Sequence, residues 1–256
     1  MSLKEGLSKL NICEEVPVEL NVNEKKLLTF MCTPQNLNEL AVGYLYNKGL
    51  IQGIDDIMSL AACEDLKIIN IKSSRTIAEA EYSLNSILVT GCGSNSGFKE
   101  NFYNLEKINS DLMISLENVK KLTIEMLKKA VIYKKTGGVH CSAISDQDEL
   151  LIVREDVGRH NAVDKVVGRA LFEGIELAKS IIITTGRISS DMILKAVSSR
   201  IPIIISRSIP SSLALEIAEE IGITIIGRAV SKKPIVYTHE DRILTDEKIM
   251  VYHNFV

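Results

Sequence analysis

Residues 181–228 read IIITTGRISSDMILKAVSSRIPIIISRSIPSSLALEIAEEIGITIIGR. Short β-branched runs at Ile181–Thr184, Ile203–Ser206 and Ile223–Ile226 suit buried strands, whereas Asp191–Ser199 and Ser212–Ile221 repeat their apolar residues at helical spacing. Strand–helix–strand–helix–strand predicts a largely parallel sheet flanked by helices, because parallel neighbours need a crossover between them. Upstream, a helix at Asn161–Phe172 feeds the first strand. Before it, Val139–Ile144 and Leu150–Val153 flank the turn SDQDE and read as a hairpin. An amphipathic helix at Asn118–Lys135 runs into Gly137 and Gly138, which can close it in a left-handed cap.

The first part of the chain has a different texture. Leu27–Cys32 is apolar, and Leu37, Leu40, Ala41, Tyr44 and Leu45 recur on one helical face, with Thr33 and Pro34 suited to the helix start and Gly49 to its end. Residues 54–89 mix β-branched and polar residues in short segments typical of half-buried strands. The expected class is α/β, with a small α+β domain over residues 1–90, a loop and connector over 91–117, and an α/β domain over 118–256.

Composition narrows the function. A net charge of -3 and the absence of a polybasic run argue against nucleic-acid and membrane-surface binding. No apolar run approaches a membrane span, so the expectation is cytoplasmic. Five widely spaced cysteines lack both disulfide-framework and zinc-site spacing.

Chemistry concentrates in three places. Arg154, Arg159, Arg187, Arg207 and Arg228 each follow the carboxyl end of an expected strand, where open parallel sheets bind ligands and helix starts offer free N–H groups. Guanidinium forks there suit phosphates, so a nucleotide-like polyanion is the natural ligand, and the alternative is structural pairing with Glu155, Asp156 and Asp191. Cys92 lies in TGCGSNSG, residues 90–97, a turn-forming stretch that can bring a thiol against a ligand; otherwise it is an incidental surface cysteine. His140 is an acid/base candidate without Cys141, since adjacent strand residues face opposite ways. His160 and Asn161 either cap a helix or point into the pocket.

The order of elements in the second part resembles the cytidine deaminase fold. A zinc deaminase places a glutamate two residues after its first ligand and a cysteine pair on the next helix start. Here Ala162 follows His160 at that spacing and GRISSD, residues 186–191, has no cysteine, so no zinc is expected.

ELAVGYLYNKGLI (39–51), TGGVH (136–140), REDVGRHNAVDK (154–165), GRISSDM (186–192), SIPSSLALEIAEEIGITIIGR (208–228) and VYTH (236–239) together resemble the formate dehydrogenase accessory sulfurtransferase family, FdhD, over nearly the whole chain. That resemblance implies a homodimeric sulfur carrier: a cysteine desulfurase loads a persulfide on Cys92, and the sulfur passes to molybdenum in bis-molybdopterin guanine dinucleotide for formate dehydrogenase. It also implies cofactor contacts at Pro234, Ile235, Val236, Tyr237, Thr238 and His239. The family's second loop cysteine is replaced by Asn95, leaving one thiol. Two other readings stand beside it: a cofactor-binding chaperone that transfers no sulfur, and a nucleotide hydrolase on the deaminase-like scaffold.

Overall fold

The computed structural model describes residues 11–83, 87–88 and 105–244. Strands β1 (Val16–Val22) and β2 (Lys25–Cys32) form a hairpin whose turn residues, Asn23 and Glu24, both take positive φ. Val16, Val18, Leu20 and Val22 alternate inward along β1, as a strand with one buried face requires. Helix α1 (Leu37–Asn47) packs Leu37, Leu40, Ala41 and Leu45 onto that face, with Phe30 and Tyr44 meeting edge to face at 5.2 Å. Strands β3 (Ile57–Cys63) and β4 (Ile68–Ser73), the short helix α2 (Glu79–Ser83) and β5 (Ile87–Leu88) complete the unit, in sheet order β3-β4-β1-β2-β5. Strand β5 lies parallel to β2, with Ile87 opposite Thr29 and Leu88 opposite Phe30.

The second unit follows through β6 (Ile114–Ser115), α3 (Leu116–Lys129), α4 (Val131–Thr136), β7 (His140–Ser145), β8 (Leu150–Asp156) and α5 (Arg159–Glu173). It continues with β9 (Ile181–Thr184), α6 (Ser190–Ser198), β10 (Ile203–Ser206), α7 (Ser212–Ile221), β11 (Thr224–Gly227), β12 (Ile235–Thr238) and β13 (Ile243–Leu244). The sheet order is β12-β11-β10-β9-β7-β8. Only β9, β10 and β11 are mutually parallel; β7, β8 and β12 join antiparallel, so the sheet is mixed rather than largely parallel. Ile182, Ile204 and Ile225 pack under α5, α6 and α7, while Ile183, Ile205 and Ile226 pack under α3. The isoleucine runs are therefore buried on both faces, which explains why they do not alternate.

Two expected helices are revised. The helix expected over residues 118–135 breaks at Ala130, because the Glu155 carboxylate accepts the Ile132 and Tyr133 N–H groups at 2.9 and 2.6 Å and so starts α4 afresh. Helix α1 begins at Leu37, not near Thr33, because Thr33 is engaged with the second unit.

The two units meet where α1 crosses α5. A Cβ on Gly43 would stand 1.8 Å from the Asp164 carbonyl oxygen, and one on Gly168 would stand 1.9 Å from that of Glu39. Only glycine at both positions lets the helix backbones touch. Among the described residues, no helix is long and apolar enough to cross a membrane.

Candidate functional site

The mixed sheet gathers one edge. Strands β9, β10 and β11 end there with Arg187, Arg207 and Arg228 just beyond them, and antiparallel pairing returns the start of β7, the end of β8 and the start of β12 to the same side. His140, the α5 start with Arg159 and His160, and Pro234–Ile235 therefore share this edge.

The centre of the edge is tightly made. Gly186 turns beneath Arg159 and His140: a Cβ there would lie 3.0 Å from Arg159 Cβ and 3.6 Å from His140 Nδ1. The Thr185 hydroxyl accepts the Cys141 N–H at 3.0 Å and sits 3.4 Å from His140 Nδ1. Ser206 donates its hydroxyl to the Gly186 carbonyl at 2.7 Å, which holds the turns after β9 and β10 together. Around this floor three buried polar atoms, Arg159 Nε, His160 Nε2 and Ser189 Oγ, have no hydrogen-bond partner in the protein. Buried polar groups are nearly always paired, so three near one turn mark a place prepared for a polar ligand.

Electrostatics agree. Burial, then Lys195, Arg159, His140 and Lys48, push the His160 imidazole down to about 3. Burial and then Arg159 also lower His140. At neutral pH His160 is thus uncharged, a fixed hydrogen-bonding group amid cations. Burial and the neighbouring Arg187 lower Arg159, whose guanidinium nevertheless stays protonated. The ensemble suits an anion with several oxygens.

The structure sorts the remaining sequence candidates. Arg154 forms a two-point ion pair with the buried Glu39 of α1, at 2.5 and 2.8 Å, which raises its pKa and ties the units together. Its partner is neither Glu155 nor Asp156. Arg187 and Arg228 are exposed at the rim, and Arg207 lies over the Tyr133 ring, donating to its hydroxyl. The stretch Pro234–His239 does not converge. Val236 is in the core, Tyr237 packs against Gly227, and Thr238 and His239 lie at the opposite end of the sheet. There Thr238 Oγ1 donates to the Ile223 carbonyl, and His239 Nε2 is 3.0 Å from the Glu219 carbonyl oxygen. Asn161 does not cap α5 through its own position; its amide donates to Asp156 and to the Met31 carbonyl.

Cys92 lies outside the described residues. Of the others, burial pushes the Cys32 thiol up to about 12 and raises that of Cys141, so neither is a ready nucleophile. Among the described residues, no three His, Cys, Asp or Glu side chains group so as to hold a metal ion. Sequence reading missed Thr185, Gly186 and Ser189, although the glycine in TTGRISS was the available signal for close backbone approach.

The description of the FdhD/NarQ family matches residues 13–244. The chain belongs to this family. Curated FdhD/NarQ relatives include proteins named sulfur carrier protein FdhD from Shouchella clausii, 34% identical over 91% of this chain and 89% of its own, and from Bacillus subtilis, 34% identical over 90% and 88%. An archaeal one, from Methanothermobacter thermautotrophicus, is 31% identical over 91% of both chains. A crystal structure described as a candidate formate dehydrogenase accessory protein from Desulfotalea psychrophila superposes with a TM-score of 0.72 at 28% identity, covering 90% of this chain and 89% of that one.

Proposed function

We propose that this protein is a sulfur carrier that accepts persulfide sulfur on Cys92 and delivers it to a guanine dinucleotide form of the molybdenum cofactor, bis-molybdopterin guanine dinucleotide, bound at the arginine edge. The observation that carries the reading is the group of unpartnered buried atoms on Arg159, His160 and Ser189 beside Gly186, in a chain of this family. A phosphate or pyrophosphate supplies the oxygens those groups lack.

Loading is an exchange at sulfur. The Cys92 thiolate attacks the terminal sulfur of a cysteine desulfurase persulfide, the S–S bond of the donor breaks, and the donor cysteine leaves as thiolate. Strand β5 supports delivery to the edge, since it runs beside β2 toward Thr33 and the start of α5. Cys92 follows Leu88 by four residues, a reach of roughly 14 Å at most.

In this reading residues 1–90 support the loop, 91–117 carry Cys92 and the connector, and 118–256 hold the substrate. Leu105, Ile108, Leu112 and Ile114 already pack into the second unit's cores. The scaffold is cytidine deaminase-like with its metal position converted: Lys195, Arg159 and Lys48 stand around His160. The working context is a cytoplasmic homodimer serving formate dehydrogenase. The test is complementation: Cys92→Ala should leave formate dehydrogenase inactive in cells lacking the wild-type copy while the protein accumulates normally. Activation by the alanine variant would replace sulfur transfer with a cofactor chaperone role.

A further inference from the structure

The turn that presents Arg159 and His160 is fixed from the other unit. Helix α5 has Gly158 at its N-cap and no side-chain cap of its own. The two N–H groups before it go elsewhere: Val157 donates to Thr33 Oγ1 at 3.1 Å, and Gly158 to Asp156 Oδ1 at 2.8 Å. Asp156 also accepts from the Thr33 N–H at 3.1 Å, from Asn161 Nδ2 at 3.0 Å and from Lys165 Nζ at 2.6 Å, with both charged side chains fully buried. Lys165 completes its three donors on the Thr33 and Glu155 carbonyls. The carboxylate and the ammonium are thus saturated, and one threonine at the end of β2 supplies three of the contacts through its N–H, carbonyl and hydroxyl.

We propose that Thr33 is a positioning residue for the anion edge, holding the first turn of α5 so that Arg159 and His160 aim at the ligand. This rests on the anion-binding reading above. Its hydroxyl is the one part of the clasp that a substitution removes without unpairing a buried charge. Because β2 also carries β5, the same residue links the strand leading toward Cys92 with the site it would serve.

The test uses GDP as probe on the full chain, with calorimetric affinity and desulfurase loading measured separately. Thr33→Val keeps the branched shape and the backbone contacts but cannot accept the Val157 N–H. It should weaken GDP binding about tenfold while Cys92 still gains sulfur, and Thr33→Ser should restore affinity. Binding within twofold of wild type in a folded Thr33→Val, with Arg159→Ala strongly impaired, overturns the positioning role and leaves the anion edge standing. Wild-type protein that binds no GDP overturns both. If Thr33→Val does not fold, hydrogen exchange on the wild type decides: GDP should slow exchange at Val157 and Gly158, and no added protection there sinks the proposal.

Discussion

Acid should weaken this protein in a way that one histidine dominates. The His160 imidazole falls from its ordinary 6.5 to about 3 through burial and then through Lys195, Arg159, His140 and Lys48. Between those values the unfolded chain binds a proton that the folded one refuses, so stability rises with pH across this window. The contribution is complete above about 6.5 and is lost as pH falls toward about 3. At pH 5 the unfolded histidine gains roughly 2 kcal/mol from protonation, and at pH 6 slightly under about 1 kcal/mol. His140, also lowered, adds in the same sense. Asp164, raised by burial, works the other way as acid is added, so the comparison must be with a variant rather than with theory alone. Urea unfolding of wild type and His160→Asn at pH 5, 6 and 7.5 isolates the residue. The wild type should lose about 2 kcal/mol more than the variant between pH 7.5 and 5. Identical pH dependence in the two proteins, or a His160 ring resonance that titrates near 6.5 in the folded protein, would refute the electrostatic account of the site.

Other expectations follow from the same geometry. Gly168→Ala places a methyl 1.9 Å from the Glu39 carbonyl oxygen, so it should force α1 and α5 apart and cost about 1–3 kcal/mol or more, read as a lowered urea midpoint. Unchanged stability would mean the helices do not touch as described. Arg187→Ala should weaken GDP binding by about 1–3 kcal/mol in calorimetry without changing the melting temperature, as expected for an exposed rim cation. Lys165→Met strands the buried Asp156 carboxylate and should cost about 3–5 kcal/mol, whereas Lys179→Met, on a surface pair with Glu176, should be nearly neutral in the same denaturation assay. Purified protein should carry no stoichiometric zinc by elemental analysis, because His160 stands among the cations Lys195, Arg159 and Lys48.

Much of the sheet was legible because its signal is local. The isoleucine runs and the intervening helical periods place β9, α6, β10 and α7 within a residue of their observed limits. The β7–β8 hairpin was legible as well, but its antiparallel docking on β9 and the antiparallel return of β12 beside β11 were not, since these are choices of topology rather than of period. The charged residues of REDVGRHNAVDK show the same division. Arg154 reads as a ligand in a line of strand-end arginines, but its partner Glu39 lies 115 residues away. Glu155 starts α4, Asp156 and Lys165 neutralise each other, and Asp164 meets Lys195 at 2.5 Å, so only Arg159 and His160 remain for chemistry. The stretch at 234–239 is spread out for a geometric reason: a strand advances about 3.3 Å per residue, so its two ends lie at opposite edges of the sheet. Thr33 looked like a helix start, but its hydroxyl accepts the Val157 N–H just ahead of α5 in the other unit.

The central claim is that Cys92 carries sulfur, and intact mass tests it most directly. After incubation with a cysteine desulfurase and L-cysteine, the wild-type chain should gain the mass of one sulfur atom, removable by a thiol reductant. Cys141→Ala, whose thiol is buried in β7, should gain the same mass, and Cys92→Ala none. A wild-type chain that takes up no sulfur, or a Cys92→Ala chain that takes up as much, would contradict the account.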